Sequence, residues 1–203
     1  MRHFMFKVLT VPAASVLAAT LAFTIPAPAQ DQAAEPAKTM PDETVDPIDR
    51  LFAELKRESD ADEAERISRR IWALWRDSGS ATANLLMQWA DKAVADKNNS
   101  LALDLLDQVV VLMPDFAEGW NRRATLHYAM GNHAKSMADI NRVLSLEPRH
   151  FGAMAGMAAI LDAAGNDALA LRAWEQMLRV YPANHQAQDK VGELADKLAG
   201  SKT

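Results

Sequence analysis

Four histidines follow residue 30: His127, His133, His150 and His185. No two are four residues apart, the spacing that would bring two imidazoles to one helix face, and no His-Glu-x-x-His run occurs. His127 falls at an inter-helix position and reads as a packed, hydrogen-bonded histidine; His133 in a turn and His150 at a repeat junction are expected in solvent. The chain has no cysteine, hence no thiol nucleophile, thiolate metal site or disulfide. There is no Gly-x-Ser-x-Gly elbow, phosphate-binding glycine loop or dinucleotide fingerprint. Asp60, Asp62 and Glu63 cluster at a helix start, where carboxylates complement the dipole. Gly152 and Gly156 have the spacing of close helix packing. The reading is a protein with no catalytic residue, no metal and no cofactor.

The elements that carry these residues follow from composition and pattern. The chain has 203 residues, 49% hydrophobic and 24% charged, with a net charge of −5. That suits one or two folded domains, and the acidic balance argues against a nucleic-acid partner. Arg2 and Lys7 precede an apolar stretch from Val8 to Ile25 and the small-residue exit Ala27-Pro28-Ala29. Residues 1–29 therefore read as a secretory signal peptide cleaved after Ala29, with a membrane anchor as the alternative if the segment is kept. Residues 30–46 have little to bury and carry two prolines, so they read as a disordered linker.

Pro114, Pro148 and Pro182 are spaced 34 residues apart. Aligned on them, residues 83–116, 117–150 and 151–184 form three windows. The fourth position holds Leu86, Trp120 and Met154; the eighth holds Ala90, Ala124 and Ala158. The sixteenth holds Asn98, Asn132 and Asn166, with Gly131 and Gly165 before the last two. The twentieth is small again: Ala102, Ser136 and Ala170. Helical spacing within each half-window predicts two amphipathic helices per unit. The glycine ends the first helix, the asparagine caps the second, and the proline stops it. Small residues allow the paired helices to approach, and stacked pairs bury faces that one pair cannot.

Upstream, residues 47–82 keep this chemistry without its length. Asp46-Pro47 reads as a cap and first helical turn, and Ile48, Leu51, Phe52 and Leu55 make a stripe. Asp60 with Glu63 resembles a capping box before Ala64, Ile67, Ile71, Leu74 and Trp75. This is a divergent first repeat, expected to stack ahead of the others. Residues 185–203 supply a capping helix and tail, with Ala187, Val191, Leu194 and Leu198 on one side. Tryptophans read as core, except that Trp72, at the edge of its stripe, could anchor an interface if exposed.

The windows resemble the tetratricopeptide repeat (TPR) family, whose 34-residue helix–turn–helix unit has this large–small–small–large–Pro layout. The middle window departs from it at Arg123, for a usual Leu, and at His127, for a usual Tyr. The resemblance implies an all-α, right-handed α-solenoid of stacked hairpins with a C-terminal capping helix. It also implies a concave face lined by the first helix of each unit. The inward positions are Asn84, Met87, Gln88, Asp91, Val94 and Ala95 in the first window. In the second they are Glu118, Asn121, Arg122, Thr125, Tyr128 and Ala129; in the third Gly152, Ala155, Gly156, Ala159, Asp162 and Ala163. Such a groove suits an extended peptide whose backbone bonds to Asn121 and Arg122. A family clamp for peptide carboxylates is not kept, since Met87, Asp91, Gly152 and Gly156 stand at its places and only Arg122 is cationic. The expected function is a non-catalytic periplasmic scaffold binding a protein or peptide, in envelope integrity or assembly. The alternative is an accessory subunit of an envelope enzyme or maturation complex, such as cytochrome biogenesis or cell-wall synthesis.

Overall fold

The structure, a computed structural model, describes residues 46–200, so the leader and all of the linker but Asp46 lie outside the described residues. Among those residues the chain forms nine helices and no strand. They are α1 (Pro47–Arg57), α2 (Ala61–Trp75), α3 (Ala81–Ala95), α4 (Asn99–Leu112), α5 (Ala117–Ala129), α6 (His133–Leu146), α7 (Phe151–Ala163), α8 (Asp167–Val180) and α9 (His185–Gly200).

The three windows are the pairs α3/α4, α5/α6 and α7/α8, and their turns repeat bond for bond. The N–H groups of Asn98, Asn132 and Asn166 donate to the carbonyls of Ala93, His127 and Leu161 at 2.8, 2.8 and 2.9 Å. The residue before each is left-handed: Lys97 at φ +60°, Gly131 at +76° and Gly165 at +71°. Glycine adopts this freely, whereas the Lys97 Cβ crowds its own carbonyl. Of the three asparagines only Asn98 caps with its side chain, accepting from the Leu101 N–H at 3.2 Å; Asn132 and Asn166 do not. Each second helix ends two residues before its proline, at Leu112, Leu146 and Val180. The small residues at the eighth and twentieth positions are all buried. In the middle unit they are also fastened, as Ser136 Oγ donates to the Ala124 carbonyl at 2.8 Å.

Successive units meet through the third and seventh positions of the first helix. A Cβ on Gly119 would lie 2.8 Å from Val109 Cγ1 of the preceding unit. Arg123, where the family has Leu, donates from Nε and Nη2 to both Asp139 oxygens and from Nη1 to Asp107, each at 2.8 Å. One guanidinium thus ties α4, α5 and α6, with Trp120 under it at 4.7 Å. His127 is buried as expected, but its Nδ1 has no hydrogen-bond partner, and burial holds its pKa below the ordinary value of 6.5.

The hairpin α1/α2 forms from its own signals. Asp46 accepts from the Ile48 N–H at 3.0 Å and Asp60 from the Glu63 N–H at 2.8 Å. The capping box is one-sided, because the Asp60 N–H donates to Glu58 rather than to Glu63. The hairpin does not stack on α3/α4 as a first repeat. Leu51, Phe52, Leu55, Ile67, Ile71 and Trp75 share one buried cluster with Phe151, Met154, Ala158 and Trp174, so it rests on α7 and α8. Small residues make the seat: a Cβ on Gly152 would lie 2.6 Å from the Trp72 ring. Trp72 is therefore half-buried inside the molecule, edge-on to Trp75, His150 and Phe151 at 5.2, 5.3 and 5.4 Å. His150, expected in solvent, is fully buried and stacks on Trp75 at 4.1 Å. Arg149 closes the contact, pairing with Asp49 at 2.6 Å and lying 4.2 Å over the Phe52 ring. α9 covers α8 with Ala187 and Leu194, and Lys197 pairs with Asp167 at 2.8 Å.

Candidate functional site

The first helices of the three units, α3, α5 and α7, lie side by side and present their inward positions to one face. The α1/α2 hairpin occupies the α7 part of that face. Two adjoining clefts lie on the rest of that face. One of about 320 Å³ lies between Ala73, Arg76 and Asp77 at the end of α2, the α3 residues Asn84, Met87 and Gln88, and Arg122. The other, of about 370 Å³, is walled by Ala90, Val94 and Ala95 of α3 and Thr125, Leu126 and Ala129 of α5. Asp91 and Arg122 line both.

The bridge between the clefts is held from beneath. Arg122 donates from Nη1 to Asp91 at 2.9 Å and from Nε to Glu118 Oε1 at 2.8 Å. Glu118 is buried at 1% exposure and also accepts from Asn121 Nδ2 at 2.8 Å. Its second oxygen faces His150 Nε2 at 3.4 Å. Burial pushes the Glu118 carboxyl up, but the His150 imidazole and the Arg122 guanidinium outweigh it, so the group is held below the ordinary 4.5. His150 Nδ1 accepts the Ala153 N–H at 3.1 Å, capping α7 and fixing the imidazole proton on Nε2. One buried carboxylate thus joins α5, the α7 cap and, through the Trp75–His150 stack, the hairpin.

The inward positions separate into three groups. Met87, Gln88, Asp91, Arg122 and Thr125 line the clefts, with Met87 buried as floor and Gln88, Asp91 and Thr125 exposed. Asn84 lines one cleft but is committed locally: its oxygen accepts from Ser78 Oγ at 2.7 Å, and its Nδ2 donates to Asp77 at 3.0 Å. Asn121 is not available to a peptide, because it is buried against Glu118. Tyr128 is exposed and stacked on His133 at 5.3 Å, outside both clefts. Ala155 packs against the hairpin cluster, and Asp162 pairs with Lys190 at 3.5 Å; neither they nor Ala159 line the clefts. Ala73, Arg76 and Asp77 were invisible to the 34-residue register, since α2 reaches this face from outside the row. Among the described residues no group of three His, Asp or Glu could hold a metal ion. The clefts offer hydrogen bonds and apolar contact.

A row of antiparallel helix pairs repeating every 34 residues, with a left-handed turn residue and a terminal proline at equivalent places, defines a right-handed α-solenoid of the TPR type. No family model matches the chain. It is 60% identical over 156 residues to a TPR repeat-containing protein of Rhizobium etli, covering 77% of this chain and 76% of that one. The chain belongs to the tetratricopeptide repeat family. Among solved structures, the first TPR domain of Spaghetti (RPAP3), bound to an HSP90 peptide, matches 59% of this chain and 98% of its own at TM-score 0.56 and 20% identity. A MamA crystal structure matches 76% of this chain and 86% of its own at TM-score 0.54 and 16% identity. At these identities they share its fold.

Proposed function

We propose that this TPR protein is a non-catalytic interaction scaffold of the cell envelope, exported by its N-terminal leader, that holds a segment of a partner protein across the Asp91–Arg122 bridge. The observation that carries this reading is the pair of clefts joined at that bridge, where exposed Gln88, Asp91 and Thr125 surround a floor of Met87, Ala90 and Leu126. The segment supplies apolar side chains to the floor and backbone groups to the rim. An acidic chaperone tail of the kind held by the Spaghetti domain is a poor fit, because two carboxylates already engage Arg122. Export rests on the Val8–Ile25 stretch between basic residues and Ala27-Pro28-Ala29.

A photoreactive residue at Gln88 in living cells, followed by mass spectrometry, tests the site. Cross-links to several envelope proteins are expected from position 88 and not from Val111, which is 81% exposed on α4. A single stoichiometric enzyme partner would make the protein an accessory subunit instead. Equal capture from both positions would refute the cleft. The mature chain is expected to begin at Gln30 by N-terminal sequencing, and an intact Met1 in membranes would refute release from the leader.

A further inference from the structure

Among the described residues the row has two ends, and only one is sealed. At the C-terminal end α9 turns Asp189, Glu193, Asp196 and Lys197 outward. At the other end the repeat register shows what is missing. In the second and third units the third and seventh positions meet the preceding unit: Gly119 lies against Val109, Arg123 bonds Asp107, and Ala153 shares a cluster with Val143, with Met157 packed against it. The first-unit counterparts are Leu85 and Trp89, and they stay 42% and 51% exposed because α1/α2 lies on α7 and α8. Trp89, expected in the core, is thus a surface residue.

We infer that a second copy of this chain covers this end, the two copies meeting face to face about a twofold axis. The polar α9 leaves no apolar tail for head-to-tail stacking, so a contact between copies that buries Leu85 and Trp89 is the isologous one. The face continues the interface that joins α4 to α5 and α6 to α7, so its shape suits a helix pair, and α3/α4 of a second copy is one. Beside the patch Lys92 donates to Asp96 at 2.8 Å, both exposed. One cation and one carboxylate on a rim are complementary to themselves under a twofold, and they offer no net charge to a strongly acidic or basic stranger.

Sedimentation velocity of the full chain over about 1 to 100 µM tests this. A species of twice 22.3 kDa is expected. Leu85→Ser and Trp89→Ser should each raise its dissociation constant at least about tenfold. Val111→Ser, at a position exposed in every unit (Ser145 and Arg179 are its counterparts), should leave it unchanged. Because the chain lacks cysteine, Leu85→Cys and Trp89→Cys provide a readout independent of stability. Under mild oxidation each is expected to form a covalent dimer faster than Val111→Cys. A monomer throughout, a dimer indifferent to both serine variants, or equal cross-linking from all three positions would overturn the inference. The cleft at Gln88 could still bind its partner in each case.

Discussion

Replacing Gly152 with alanine adds one methyl group and sets two effects against each other. In a helix interior alanine is favoured over glycine by about 1 kcal/mol, and by less in a first turn, where Gly152 stands as the second residue of α7. The added Cβ, however, would stand 2.6 and 2.9 Å from two carbons of the Trp72 ring. That ring cannot swing aside freely, because Trp75, His150 and Phe151 meet it at 5.2, 5.3 and 5.4 Å. Displacing a packed ring by about an ångström is overpacking, which costs about 1–3 kcal/mol. The net expectation is a loss between about zero and 3 kcal/mol, with the hairpin loosened on its seat. Gly192→Ala isolates the first effect, since nothing lies within 4 Å of a Cβ at that helical position. Urea unfolding followed by far-UV circular dichroism should place the two variants about 1–4 kcal/mol apart, Gly192→Ala the more stable. Hydrogen exchange should speed up in residues 47–75 of Gly152→Ala and remain unchanged in α3 and α4. If Gly152→Ala gains as much stability as Gly192→Ala, the hairpin does not sit on α7 and the packing described here is wrong.

Three further outcomes are expected. Lys97→Gly removes a left-handed lysine, relieving about 1–2 kcal/mol of backbone strain while losing about 0.5–1 to chain entropy, so the urea midpoint should rise; a fall would contradict the strain. Stability should also decline on acidification in two stages. His127 has a folded pKa below 6.5, so the unfolded chain takes its proton first and stability drops as pH falls below that value. Glu118 and Glu147 are held below 4.5, where His150 with Arg122 and Arg149 respectively outweigh their burial. Their contribution is intact above 4.5 and disappears as pH falls through the depressed values. Glu118→Gln should therefore cost about 2–3 kcal/mol at neutral pH and flatten the lower stage of the titration; an unchanged acid limb would remove Glu118 from the network.

The repeated part of this molecule was legible because a repeat states each rule three times. The prolines, the small eighth and twentieth positions and the turn glycines all lie where the 34-residue register puts them, and even Lys97 takes the glycine conformation. The hairpin α1/α2 was legible as two helices and not as a location. Its caps and stripes are local, whereas its seat depends on Gly152, Phe151 and His150, a hundred residues away and outside any shared period. The same holds for Trp89 and His150: the register implies for each the environment its window usually provides, and the displaced hairpin uncovers one and buries the other. On the inner face, the register places Gln88, Asp91, Arg122 and Thr125 along the two clefts. It could not show that Glu118 would draw Asn121 inward, because an unpaired buried carboxylate recruits whichever donors are nearest.

The pairing of Asp49 with Arg149 spans 100 residues, and it changes how the array should behave as a folding unit. An open row of hairpins melts piecemeal from its ends, its stability close to a sum over neighbours. Here the first hairpin is docked on the last unit, so fraying at either terminus costs contacts belonging to the other. Deleting the C-terminal unit should therefore cast off the N-terminal helices as well. Folding should also wait on a long loop closure, slower than the local wiring of such arrays would suggest.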